Sequence, residues 1–180
     1  MNVDDLKNFL EQDFSATKDT LMSTSYDKAN KEYVCDSLKE SFNYDNIIRI
    51  IYKGLNNPET PDAIYFNDKI NFIEFKNGDI NGRDRLRLRI KALEGLYNFA
   101  LYVVRGIDTS IADNLRYIVV YNEQKNPADE EKDKMIEHLG KKAQTKHIRF
   151  GLERFVGIYF SEVLTLSKKE FSEEFLKEII

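Results

Sequence analysis

The chain has 180 residues, 42% hydrophobic and 32% charged, with a net charge of −4, which fits one globular domain with a real core and rules out binding of polyanions through bulk positive charge. Its single cysteine, Cys35, excludes an internal disulfide, and no stretch is long and apolar enough to span a bilayer. The opening Met-Asn-Val-Asp-Asp is acidic and lacks an apolar leader core, so a cytoplasmic protein without a membrane partner is expected.

In chain order, Val3, Leu6, Leu10 and Phe14 predict a short amphipathic helix, and residues 15–25 read as a polar loop. Residues 26–42 read as a helix with Tyr33, Val34, Leu38 and Phe42 on its apolar side. The β-branched run at 47–52 predicts a strand, and Asn-Asn-Pro with Pro61 marks a loop over 54–61. Two strands follow, 62–66 and 70–76, joined by Asn67-Asp68-Lys69. Asn77-Gly78 and Asn81-Gly82 are turn signals.

Residues 84–105 predict a long helix, with Leu86, Ile90, Leu93, Tyr97, Leu101 and Val104 as its main apolar face and Leu88, Ala92, Leu96, Phe99 and Val103 widening it. Arg85 to Ile90 alternates with period two, but the helical pattern continues to Val104. Beyond it lie a strand at 115–121, a polar helix at 129–142 and an apolar stretch at 155–166 in which strand is favoured. Ser167-x-x-Glu170 is a capping box opening a final helix to Ile180. The expected class is α/β (α+β): a central mixed sheet flanked by helices in a single domain of residues 1–180.

Charges inside the two strands of 62–76 point to chemistry. Period two puts Ile70, Phe72, Glu74 and Lys76 on one face. A three-residue hairpin loop pairs Phe66 with Ile70 and sets Asp62 opposite Glu74, with Cβ atoms about 4.5–5.5 Å apart. That spacing lets two carboxylates share one hard cation. A two-residue loop would throw Asp62 to the other face. Two such anions repel unless a cation lies between them, and Lys76 shares their face. Asp62 and Glu74 can hold a metal, while Lys76 can orient a water and stabilise charge developing on a phosphoryl oxygen. A plain structural alternative is turn chemistry at Pro61-Asp62 and a cross-strand ion pair on an exposed hairpin.

Pro61-Asp62 followed by Glu74-Phe75-Lys76 resembles the signature of the PD-(D/E)XK nuclease superfamily. The resemblance implies a restriction-endonuclease-like core of order αβββαβ over roughly residues 26–122. Residues 1–23 would be an accessory helix and loop, and 123–180 a C-terminal extension. It further implies Mg²⁺ or Mn²⁺ held by Asp62, Glu74 and the Phe75 carbonyl, catalysis by Lys76, and nucleic acid, DNA by resemblance, as partner. The acidic residue this superfamily often carries on its first helix is assigned to Glu32, with Asp36 and Glu40 as alternatives. The Gln-x-x-x-Tyr variant is not supported, since Leu93 holds the matching offset from Tyr97. A homodimer is compatible with the resemblance. An inactive interaction protein on the same fold (an immunity, antitoxin or scaffold subunit) and an RNase using the same site are the competing readings.

On the long helix, Arg87, Lys91, Glu94 and Asn98 form a polar stripe. It reads either as a solvated face or, with Lys91 as a further catalytic or phosphate-contacting residue, as part of the site. Arg83, Arg85, Arg87 and Arg89 crowd the helix start, where each cation opposes the macrodipole at about 0.3–1 kcal/mol; an anionic backbone would offset this, as would Asp79, Asp84 or acids elsewhere. These arginines and Lys91 are the candidate nucleic-acid contacts. A second basic stretch runs through Lys141, Lys142, Lys146, Arg149 and Arg154. His138 and His147 are too isolated for a zinc site, and no Gly-rich phosphate loop is present.

Overall fold

The computed structural model describes residues 2–103, 113–127 and 148–177. The first helix, α1 (Val3–Asp13), is opened by a capping box between Asn2 and Asp5 and buries Leu6 and Leu10. The 15–25 segment, expected as a loop, holds a 3₁₀ turn, strand β1 (Lys18–Thr20) and a one-turn helix α2 (Leu21–Thr24).

Residues 26–42 are not a helix. They form a hairpin of two short strands, β2 (Tyr26–Asp27) and β3 (Glu32–Tyr33), then an irregular stretch, then β4 (Glu40–Asn43). The cause is local. The Asp27 carboxylate accepts from the backbone N–H groups of Ala29 and Asn30, which commits the chain to a turn. Lys31 then adopts a positive φ of 55°, incompatible with a continuing right-handed helix. Leu38, expected on the apolar side, is exposed.

The 47–52 run is likewise reversed, forming helix α3 (Tyr44–Tyr52) rather than a strand. Asn43 caps it by accepting from Asn46 N–H, and Tyr44, Ile47 and Ile48 are buried on one side. The 54–61 loop stands as expected. So do strands β5 (Ala63–Phe66), β6 (Ile70–Lys76) and β7 (Leu115–Tyr121). Helix α4 (Gly82–Asn98) continues as a π-helical turn, Phe99–Val103. In the 155–166 region only β8 (Glu162–Ser167) is a strand, preceded by a 3₁₀ turn at Glu153–Phe155. The Ser167/Glu170 capping box opens α5 (Lys168–Glu170), which runs into a π-helical turn, Phe171–Phe175. The 129–142 helix, Val104, His138, His147 and the final residues to Ile180 lie outside the described residues.

Among the described residues six strands form one mixed sheet, ordered β1-β4-β5-β6-β7-β8, and β2 and β3 form a separate two-stranded one. Pairing is antiparallel from β1 to β6 and parallel from β6 to β8. One face (Ile64, Ile70, Phe72, Tyr117) packs against α1, α3 and α4; the other (Tyr65, Ile73, Phe75, Ile118) packs against Leu21, Val34, Phe171 and Phe175. The expected αβββαβ order is not what the described elements show: a hairpin stands where the first helix was expected, and α3 separates β4 from β5.

Helix α4 is amphipathic in the unexpected sense. Leu88, Ala92, Phe99 and Val103 are buried, but Leu86, Ile90, Leu93, Tyr97 and Leu101, expected as its main core face, are exposed. From Lys91 onward the polar stripe turns inward instead, while Arg87 stays exposed.

Candidate functional site

The hairpin of β5 and β6 has the register that a three-residue loop requires: Phe66 pairs with Ile70, and Ala63 with Ile73. Asp62 lies one residue beyond the last pair. Its Oδ2 accepts from Phe75 N–H at 2.7 Å, so the side chain prolongs the ladder that its own backbone has left. A residue's N–H and C=O point to the same side of an extended strand. The Phe75 carbonyl therefore also faces the β5 side, whereas Lys76 C=O accepts from Asn122 N–H on the β7 side.

Asp62 and Glu74 meet around a cation, the ammonium of Lys91 from α4. Lys91 Nζ donates to Asp62 Oδ1 at 3.2 Å and to Glu74 Oε2 at 2.8 Å. Lys76 Nζ lies 3.0 Å from the other Glu74 oxygen, Oε1. Glu74 is 1% exposed, while Asp62, at 22%, reaches the surface. Burial, then the negative charge of Glu74, pushes the Asp62 carboxyl up to about 7, against the opposing pull of Lys91 and of the Phe75 N–H. Burial alone would lower the Lys91 pKa, but Glu74 and Asp62 outweigh it and hold it raised.

The loop that delivers Asp62 is clamped from several directions. Asp62 C=O accepts from Tyr44 N–H at the start of α3. Thr60 donates its hydroxyl to Asp45, and Glu59 N–H donates to Glu94 at 2.6 Å. The Tyr44 hydroxyl donates to Gly95 C=O. The polar stripe of α4 is thus largely spent on placing this loop: exposed Arg87 on the Glu59 carboxylate, Lys91 on Asp62 and Glu74, and Glu94 on Glu59 N–H, while Asn98 accepts from the Tyr52 hydroxyl of α3. None of Asp45, Glu59, Thr60 or Tyr44 stood out in the sequence.

Helix α4 approaches the loop closely because residue 95 is glycine. A Cβ there would lie 2.6 Å from Pro61 Cδ, a ring atom tied to the backbone that carries Asp62. Gly95→Ala is expected to lower stability by about 1–3 kcal/mol, since the helix or the loop must yield. Gly82→Ala, whose Cβ would meet nothing within 4 Å, should be neutral or stabilising. Thermal unfolding of both variants checks this; equal stability would show that the close approach is not tight.

Glu32 does not join the carboxylate pair. It sits on β3, where its Oε2 accepts from Asn77 Nδ2 at 3.0 Å; Asp27 accepts from the same amide at 3.1 Å. Asn77 therefore pins the β2–β3 hairpin to the end of β6, a role beyond the turn read there. Asp36 and Glu40, the alternatives to Glu32, fall outside any helix. Cys35 is buried, as expected of a small apolar residue, but in an irregular segment; burial raises its thiol pKa. Of the arginines, Arg83, Arg85 and Arg87 are exposed, and Arg87 is held by Glu59. Arg89 is partly buried against Gly151, its Nε without a hydrogen-bond partner among the described residues.

Among the described residues no group of three or more His, Cys, Asp and Glu side chains could hold a metal. The donor set nevertheless suits Mg²⁺ or Mn²⁺. Two carboxylate oxygens converge on the position that the Lys91 ammonium holds, which a divalent ion would have to take over, and magnesium is commonly held by one or two carboxylates with water completing the shell. Comparison with protein-family models, curated proteins and solved structures returns no match.

Proposed function

We propose that this chain is a metal-dependent nuclease of the PD-(D/E)XK type that hydrolyses phosphodiester bonds, with DNA as substrate. The observation behind this reading is the convergence of Asp62 Oδ1 and Glu74 Oε2 on one cation position beside a second lysine, Lys76. Asp62, Glu74 and the Phe75 carbonyl would hold Mg²⁺ or Mn²⁺. The bound ion would supply Lewis acidity toward a phosphoryl oxygen. Lys76 is 20% exposed and held by Glu74, so its remaining protons can orient a water or meet charge developing on the phosphate. Without metal, Lys91 holds the two carboxylates together and would give way to the ion, and of the four helix arginines Arg83 and Arg85 are the ones free to meet a phosphate backbone.

The test is cleavage of linear, circular and single-stranded DNA, and of RNA, with Mg²⁺, Mn²⁺ or EDTA, alongside calorimetric Mn²⁺ titration. Glu74→Ala should abolish both Mn²⁺ binding and cutting. Lys76→Ala should slow cutting by about 10²–10³-fold with Mn²⁺ still bound. Cutting that persists unchanged in both variants would end this reading.

One observation favours an inactive interaction protein instead: the exposed stripe of Leu86, Ile90, Leu93, Tyr97 and Leu101 on α4. That reading expects neither Mn²⁺ binding nor cleavage in the same experiment.

A further inference from the structure

We propose that the outer face of α4 is a homodimer surface: two copies of the chain pair these helices antiparallel across a two-fold axis, burying Leu86, Ile90, Leu93, Tyr97 and Leu101. The proposal goes beyond the nuclease reading and does not depend on it.

The helix has two apolar sides. One, made of Leu88, Ala92, Phe99 and Val103, is already spent on the core of its own chain. At about 100° per residue, the five exposed residues fall on the opposite side. Single exposed leucines need no explanation, but five large apolar side chains in one row on a solvent face mark a docking surface. Leu86 and Tyr97 are the most exposed of the row, at 56% and 62%, so their burial waits on a second molecule.

The row fits itself. Leu86, Ile90, Leu93 and Tyr97 are spaced by four, three and four residues, the seam spacing at which two helices interlock their side chains. With the two-fold axis between residues 91 and 92, Leu86 lies beside the partner's Tyr97, and Ile90 beside the partner's Leu93. Leu101 then meets the partner's Gly82, which has no side chain to hold it off.

Charge sets the direction. Residues 83–91 carry five cations and one acid, whereas 92–103 carry no cation and one acid, Glu94, which is bonded to Glu59 N–H. A parallel pair would set the two arginine clusters against each other, and like charges across a contact are costly. The antiparallel pair sets the exposed Arg83, Arg85 and Arg87 along the partner's cation-free half, where Tyr97 offers its ring to a guanidinium. The spacing and the charge gradient lie on one helix and complement a second copy of it, which assigns the occupant to this chain rather than to a different protein. The row is about 22 Å long and one helix wide, less than a standard interface, so a micromolar dimer is expected rather than a permanent one.

The experiment is sedimentation equilibrium on the full chain in EDTA, without nucleic acid, over about 1–300 µM. Wild type should pass from monomer to dimer within that range. Leu93→Lys, at the centre of the row, should weaken association about 100-fold or more, with the circular dichroism and melting temperature of the dilute protein unchanged. Leu38→Lys, at an equally apolar and exposed position off the helix, should associate like wild type. The direction is read at Tyr97. Tyr97→Arg should weaken the dimer about 10-fold or more beyond Tyr97→Glu, because the new charge meets the partner's Arg85 and Arg87. Wild type monomeric throughout, or Leu93→Lys associating like wild type, would overturn the surface. Equal weakening by Tyr97→Arg and Tyr97→Glu would overturn the antiparallel pairing. Cleavage and Mn²⁺ uptake are read separately. A dimer that neither binds Mn²⁺ nor cuts would remove the nuclease and keep the surface, and a monomer that cuts would do the reverse.

Discussion

Replacing Lys91 with methionine is expected to lower the stability of the metal-free protein by about 3–5 kcal/mol, the usual consequence of stripping a buried charge of its partner. Lys91 is 13% exposed and donates to both Asp62 and Glu74, so its removal leaves two carboxylates facing each other with only Lys76 on the outer oxygen of Glu74. The fold can respond by protonating Asp62, whose carboxyl already stands at about 7. The loss should therefore shrink in acid and be largest in alkali. A divalent ion between the same oxygens should have a mirrored effect. In wild type it competes with an ammonium for the position, whereas in Lys91→Met it meets bare carboxylates. Unfolding curves with EDTA and with Mn²⁺ should show metal stabilising the variant more than wild type; an excess of 100-fold over the dissociation constant gives about 2.7 kcal/mol. A variant as stable as wild type in EDTA, or metal stabilising both equally, would show that Lys91 is not the internal counter-ion of the pair.

The carboxylate hairpin was legible from the sequence because every rule it obeys is local. Period-two alternation, a three-residue loop and the resulting register all lie within residues 62–76, and the observed Phe66–Ile70 pairing follows from them. The stretch from 26 to 52 was misread for the converse reason. Tyr33, Val34, Leu38 and Phe42 match a helical period, but four matches are outweighed by one aspartate that captures two backbone N–H groups. The 47–52 run looked like a strand from its β-branched residues. The signal against it was Asn43, a capping residue one position before Tyr44. Helix α4 shows a deeper limit. Its position was readable, but the polarity of its faces was not, because a polar stripe turns inward only when buried partners await it. Those partners, Asp62, Glu74, Glu59 and Tyr52, come from other elements and are invisible to a window that moves along one helix.

The second large effect concerns Asp62 and pH. Its carboxyl is raised from an ordinary 3.8 to about 7, even with the attraction of Lys91 included, so ionised Asp62 is a net cost to the fold. The sign follows from proton counting. Between pH 4 and 7 the folded chain holds a proton at Asp62 that the unfolded chain has lost. This group's contribution therefore falls as pH rises through that window and levels off above it. At about 1.4 kcal/mol per pH unit, the decline approaches about 4 kcal/mol as an upper limit. Asp62→Asn removes the titration while keeping a carbonyl oxygen for the Phe75 N–H. In EDTA the variant should unfold much like wild type near pH 4 and should be the more stable protein at pH 8, by roughly 1–4 kcal/mol. Urea titrations across that range decide it, since other carboxylates act on both proteins and cancel in the difference. A difference independent of pH, or wild type more stable at pH 8, would mean that Lys91 neutralises the pair fully and that no strain is stored there. With the expected sign, the same carboxylate that weakens the metal-free fold is the one a divalent cation would relieve. The Asn variant should accordingly lose both Mn²⁺ binding and metal-dependent stabilisation while gaining stability without metal.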